Sequence, residues 1–137
     1  MPLPWKRRRR RSPMRMPMQM SYRIRVGSRW VTVGWAVAIV ASSFVPWDYA
    51  IGSGLGDKLG HMAAYALLTF SAAFGWRDRI GLPIILLAVL TCGATIEVLQ
   101  AWVPGRVADW GDLLANTIGT VAGAGMAVVA ARYMDVE

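Results

Sequence analysis

The sequence predicts an all-α integral membrane bundle of four antiparallel transmembrane helices, and three observations predict it. Hydrophobic residues make up 55% of the 137 residues. They fall in long stretches almost free of Lys, Arg, Asp and Glu, and those stretches approach the ~20 residues that cross a bilayer. A soluble domain would scatter its apolar residues at helix or strand periods around one core, and a chain this short has no room for several domains.

The net charge of +7 raises the possibility of a nucleic-acid binder, since basic patches attract phosphate backbones. Its distribution excludes that class. Lys6, the run Arg7 to Arg11, Arg15, Arg23, Arg25 and Arg29 all precede the first apolar stretch, and the remaining chain is slightly acidic. Residues 1–29, basic and rich in Met and Pro, are expected to form a disordered cytoplasmic tail that touches anionic lipid. Met14, Met16, Met18 and Met20 are alternative translation starts that would leave the Arg run out.

Four spans follow, at about 30–47, 59–76, 80–103 and 113–132, within a transmembrane domain of residues 30–132. The first, Trp30 to Trp47, extends roughly 27 Å as a helix, close to the thickness of a hydrocarbon core. A basic start before an apolar run also suits a cleaved signal peptide, but the length of the run and its Val45-Pro46-Trp47 ending favour a span. Pro83 falls in the first turn of the third span, where its missing N–H is tolerated. Cys92 lies inside that span as a small packing residue. Short connections make consecutive helices antiparallel neighbours, and residues 133–137 form a short C-terminus.

The cations of the tail, the Arg77-Asp78-Arg79 loop and Arg132 set the orientation, with both termini in the cytoplasm. Trp30 and Trp76 then mark the inner interface, and Trp47, Trp102 and Trp110 the outer one. This places the chain in a cell membrane, its lipid bilayer the first partner.

With that topology the unusual polar residues gather at the outer end. Asp57, Lys58, His61 and Tyr65 recur at helical spacing and share one face at the start of the second span. Glu97 and Gln100 lie one turn apart on the third, with Glu97 roughly 9 Å below the outer interface. An intramembrane carboxylate normally faces the bundle interior with a partner, and His61, Lys58 and Arg106 are the candidates. Arg106 leads into Asp109, Asp112 and Asn116, which share a face entering the fourth span. Continued inward, that face presents Gly119 and Gly123, a pair that allows close helix contact within the chain or in a homo-oligomer.

Simpler roles stand beside these. Glu97 could be a structural hydrogen-bond acceptor, Asp112 a helix cap with Asp109 solvated, and His61 a packing residue. Acids spread over three helices suit ion pairing more readily than a metal, so neither metal nor cofactor is expected. Gly52, Gly54 and Gly56 lack the strand and the Lys-Ser/Thr ending of a phosphate loop and read as an extracellular turn.

Three blocks together resemble the VanZ-like family, named for a protein associated with resistance to the glycopeptide teicoplanin. They are Asp57-Lys58-Leu59-Gly60-His61 with Tyr65; Glu97-Val98-Leu99-Gln100; and Pro104-Gly105-Arg106 through Asp109, Asp112, Asn116 and Gly119. The resemblance covers roughly residues 30 to 130 and implies a multi-spanning bacterial membrane protein connected with the cell envelope.

The reading that follows is a ligand-binding pocket of Asp57, Lys58, His61, Tyr65, Glu97, Gln100, Arg106, Asp109, Asp112 and Asn116. Its expected ligand is a lipid-linked sugar or peptidoglycan-related head group, with Lys58 and Arg106 on phosphate or carboxylate. The rival is an enzyme acting on a lipid phosphate, with Glu97 or His61 as general base and a metal on Asp109 and Asp112. A proton-relaying transporter lacks a second polar cluster in the inner half. A structural role would have the polar residues do no more than tie four helices together.

Overall fold

The structure, a computed structural model, describes residues 18–45, 54–104 and 108–136. They form four helices, α1 (Met18–Ser43), α2 (Leu55–Ile80), α3 (Leu82–Gln100) and α4 (Trp110–Val136), with no strand among the described residues. Trp47 and Arg106 lie outside these residues, as do most of the expected tail and the segment containing Gly52.

Every expected span is a helix, but the boundaries differ. α1 begins at Met18, inside the segment read as disordered tail. The physical reason is a set of contacts that only side chains of residues 25–35 can make with α2. Arg29 Nε donates to the Gly75 carbonyl at 2.7 Å, and its guanidinium lies 5.1 Å from the centre of the Trp76 ring. Arg25 pairs with Asp78. Thr32 Oγ1 donates to Ser71 Oγ at 3.1 Å and Trp35 Nε1 to the Ala64 carbonyl at 2.9 Å. As these contacts climb α1 they descend α2, so the two helices run in opposite directions.

α2 also outruns its expected span at both ends. It starts from Gly54, whose φ of 76° is left-handed, and ends at Gly81, with φ 74°. Gly81 is the whole connection to α3; its N–H bonds the Arg77 carbonyl at 3.0 Å, and Pro83 falls in the first turn of α3 as anticipated. Glycine tolerates that backbone conformation without the Cβ clash other residues would meet. α3 stops at Gln100 rather than Val103, and α4 runs through Val136, absorbing most of the expected C-terminal segment.

Three helices are long and apolar enough to cross a membrane by length and composition, over Tyr22–Ser43, Leu82–Gln100 and Trp110–Tyr133. The expectation of four is thus met by three on this measure. α2 is not among them; its uncharged stretch 59–76 is diluted by His61, Tyr65, Thr69, Ser71 and glycines, with charged residues at both ends.

α2 is nevertheless the centre of the packing, meeting α1, α3 and α4. Its most extensive contact is with α4, and glycines permit it. A Cβ added at Gly119 would collide with the Met62 carbonyl oxygen, and one at Gly123 with that of Ala66. The small-residue face is therefore occupied inside the chain. The pairs 62 with 119 and 66 with 123 advance together, so α2 and α4 run in the same direction. On another side of α2, Tyr65, Leu68 and Ala72 join Ile39 of α1 and Ile85, Val89 and Ile96 of α3 in the apolar core, with Cys92 packed at its edge.

Replacing Gly123 by Leu should lower stability by at least about 1–3 kcal/mol, because helix backbone and not a movable side chain stands in the way. Gly125→Ala, where an added Cβ meets nothing within 4 Å, should stay within about 0.5 kcal/mol of wild type. Thermal unfolding of the purified protein in detergent compares the two.

Candidate functional site

The α2–α4 seam carries the polar residues of both helices to one end. Lys58 Nζ donates to Asp109 Oδ2 at 2.6 Å and to Asp112 Oδ1 at 3.2 Å. It reaches them past Gly111, where a side chain would occupy the space of the ammonium. The Lys58 ammonium, with help from the Gly111 N–H, holds the Asp109 carboxyl below its ordinary range, so Asp109 is charged at neutral pH.

Asp109 also starts α4. Its Oδ1 accepts the Gly111 N–H at 2.7 Å, and its carbonyl accepts those of Asp112 and Leu113 at 3.0 and 3.3 Å. The capping role suggested for Asp112 thus belongs to Asp109, and Asp112 is instead a buried partner of Lys58.

His61 sits between these groups and α2's own Asp57. Its Nδ1 is 3.1 Å from Asn116 Oδ1. An amide oxygen can only accept, so Nδ1 carries the hydrogen and Nε2 is left facing two carboxylates. Nε2 lies 3.9 Å from Asp57 Oδ1 and 3.8 Å from Asp112 Oδ2, beyond hydrogen-bond length. Asp57, His61 and Asp112 each bring a donor atom within 4.8 Å of the others, a group that could hold a cation among the described residues. Asp109 and Asp112, read from the sequence as ligands of a metal in an enzyme, both engage Lys58 in the structure.

Glu97 is buried, 7% exposed. Among the described residues none of the side chains expected bonds it, and Arg106 lies outside them. Oε1 accepts the backbone N–H of Asp109 at 2.5 Å, so α3 holds the residue from which α4 begins. Gln100, one turn on, donates from Nε2 to the Ser43 carbonyl at 3.1 Å and ties the end of α1 to α3. Tyr65, 2% exposed, lays its ring against the backbone of Gly93, where an added Cβ would lie 2.9 Å from the ring edge.

A cavity of about 390 Å³ opens among these residues. Asp57, His61, Glu97, Gln100 and Asn116 line its polar end, and Ile39, Ala64 and Ile96 an apolar wall; Tyr65 also borders it. Nine of the ten candidate residues therefore lie in or beside one site, and the tenth, Arg106, lies outside the described residues. Lys58, Asp109 and Asp112 stand behind the cavity rather than in its lining. Ser43 and Gly111 were not singled out by the sequence reading, since one contributes a carbonyl and the other an empty space.

The fold is that of an α-helical membrane protein with a polar cluster gathered at one end of its bundle. The chain belongs to the VanZ/LLP1 family, whose model matches residues 3–131. The match reaches further toward the N-terminus than the blocks from which the resemblance was read. Neither the search of curated proteins nor that of solved structures found a match.

If the Lys58 pairing with α4 is a true coupling, Lys58→Met should lower the thermal midpoint at neutral pH, and adding Asp112→Asn should recover part of the loss. A double-mutant cycle in detergent reads the interaction as departure from additivity. Strictly additive effects would mean that the pair contributes nothing to the seam.

Proposed function

We propose that this chain spans a bacterial cell membrane four times, with both termini in the cytoplasm. In this reading it binds the head group of a lipid-linked envelope component, a sugar or peptidoglycan-related group, in the outward-facing cavity. The observation that carries the binding reading is the composition of that cavity. Polar side chains and an apolar wall meet in one space of about 390 Å³, which suits an amphiphile whose head and tail are bound side by side.

Packing and charge support the topology. α2 is enclosed by the other helices, and its charged residues stand at its two ends, leaving the middle apolar. Trp30 and Trp76 lie at the end bearing Arg25 and Arg29, while Trp102 and Trp110 lie at the end bearing Asp109, in keeping with aromatic belts at two interfaces. The cations before the first span favour a cytoplasmic N-terminus. Lys58 is left out of ligand contact, since both aspartates of α4 already engage it.

A second reading, an enzyme acting on a lipid phosphate, has one observation in its favour: Asp57, His61 and Asp112 present donors close enough for one cation. A divalent ion there would supply charge stabilisation to a phosphoryl group. Turnover of a lipid phosphate that EDTA abolishes would favour this reading over binding alone.

The test of the first reading compares Glu97→Gln with wild type, scoring membrane-inserted folded protein together with teicoplanin sensitivity of the expressing cells. Wild type alone is expected to shift sensitivity while both proteins insert and fold. Misfolding of the variant would make Glu97 a strut between α3 and α4. A folded variant as effective as wild type would remove Glu97 from the site.

A further inference from the structure

We infer that the head group taken by this cavity carries a primary ammonium on a bilayer lipid. The inference rests on the reading of this cavity as an amphiphile site and goes beyond the head group named there.

The charge of the lining is the starting point. Two carboxylates, Asp57 and Glu97, line the cavity, and no Lys or Arg does so among the described residues. The nearby cation, Lys58, is held at 2.6 and 3.2 Å by Asp109 and Asp112. An incoming phosphate would have to break those charge-assisted bonds to reach it. Around the site, four carboxylates face the one ammonium of Lys58 among the described residues. Like charges disfavour an anion there, and more strongly in the partly buried surroundings of a helix bundle than in water. A cation is favoured on the same grounds.

The type of cation follows from what lies beside the charge. The cavity continues from its carboxylates to Ile39, Ala64 and Ile96, so an occupant has an apolar portion next to its charged one. α1 and α3 supply that wall through Ile39 and Ile96. An ammonium offers three donors and no acceptor. It meets a lining whose charged groups are acceptors, among them Asp57, whose Oδ1 lies 3.9 Å from His61 Nε2.

The experiment titrates the purified full-length chain in detergent with dioleoyl phosphatidylethanolamine, its N-acetyl derivative, which lacks the positive charge, and dioleoyl phosphatidylglycerol, reading bound lipid by native mass spectrometry. Wild type should bind phosphatidylethanolamine about tenfold or more tighter than the other two. Asp57→Asn, at a partly exposed position outside the apolar core, should fold and lose that preference. Glu97→Gln is the second variant.

Equal binding of the N-acetyl lipid or phosphatidylglycerol by wild type would overturn the ammonium while leaving an amphiphile site intact. A preference that persists in folded Asp57→Asn and Glu97→Gln would place the ammonium elsewhere and also overturn it. If wild type binds none of the three lipids but binds undecaprenyl phosphate, the ammonium fails and the envelope-lipid reading stands; if it binds no amphiphile, both fail.

Discussion

The close approach of α2 and α4 is the constraint on which the site depends. Two glycines of α4 lie against the carbonyl oxygens of Met62 and Ala66 with no room for a Cβ between them. In a membrane, apolar side chains gain little by leaving lipid for protein, so helices associate through close backbone packing and polar contacts. Here the backbone contact sets the register. Counting back one turn from the Gly119 contact puts His61 beside Asn116, and a further step puts Lys58 beside Asp112 and Asp109.

The polar contacts then divide into two groups. Lys58, Asp109, Asp112 and Gly111 form a compact ion-paired knot where α4 begins, and Glu97 fastens it to α3 through a main-chain N–H. Asp57, His61, Asn116 and Gln100 line the neighbouring space. Glu97 belongs to both, bonded to the knot while facing the cavity, so its loss would be felt in structure and in ligand binding alike. Asp57 belongs chiefly to the second group, which makes it the better probe of what the cavity holds.

Much of this was legible in the sequence. The apolar stretches reveal four helices because bilayer-length runs are a strong signal, and the spacings of Asp57, His61, Asp112 and Asn116 reveal shared faces because helical periodicity is regular. Helix ends were harder. α1 extends to Met18 because Arg25 and Arg29 find acceptors on α2, a tertiary effect that a tail rich in Arg does not announce. The bonds of Glu97 to Asp109 and of Gln100 to Ser43 escaped for a different cause: they go to a backbone N–H and a backbone carbonyl, which side-chain identity does not reveal. The pairing of Lys58 with Asp109 and Asp112 was likewise not legible, because a list of charged residues does not say which of them neutralise one another.

The bond between Glu97 and residue 109 has a consequence for how such proteins diversify. Since the donor is a main-chain amide, every amino acid except proline can stand at 109 and still satisfy the carboxylate. The side chain at 109 is set instead by Lys58 and by the Gly111 N–H that it caps, and the Glu97 bond depends on neither. Correlated substitution would therefore couple 58 with 109 and leave 97 silent, although the contact of Glu97 joins α3 to the first residue of the knot. Methods that infer proximity from paired changes would draw this bundle with one of its ties missing.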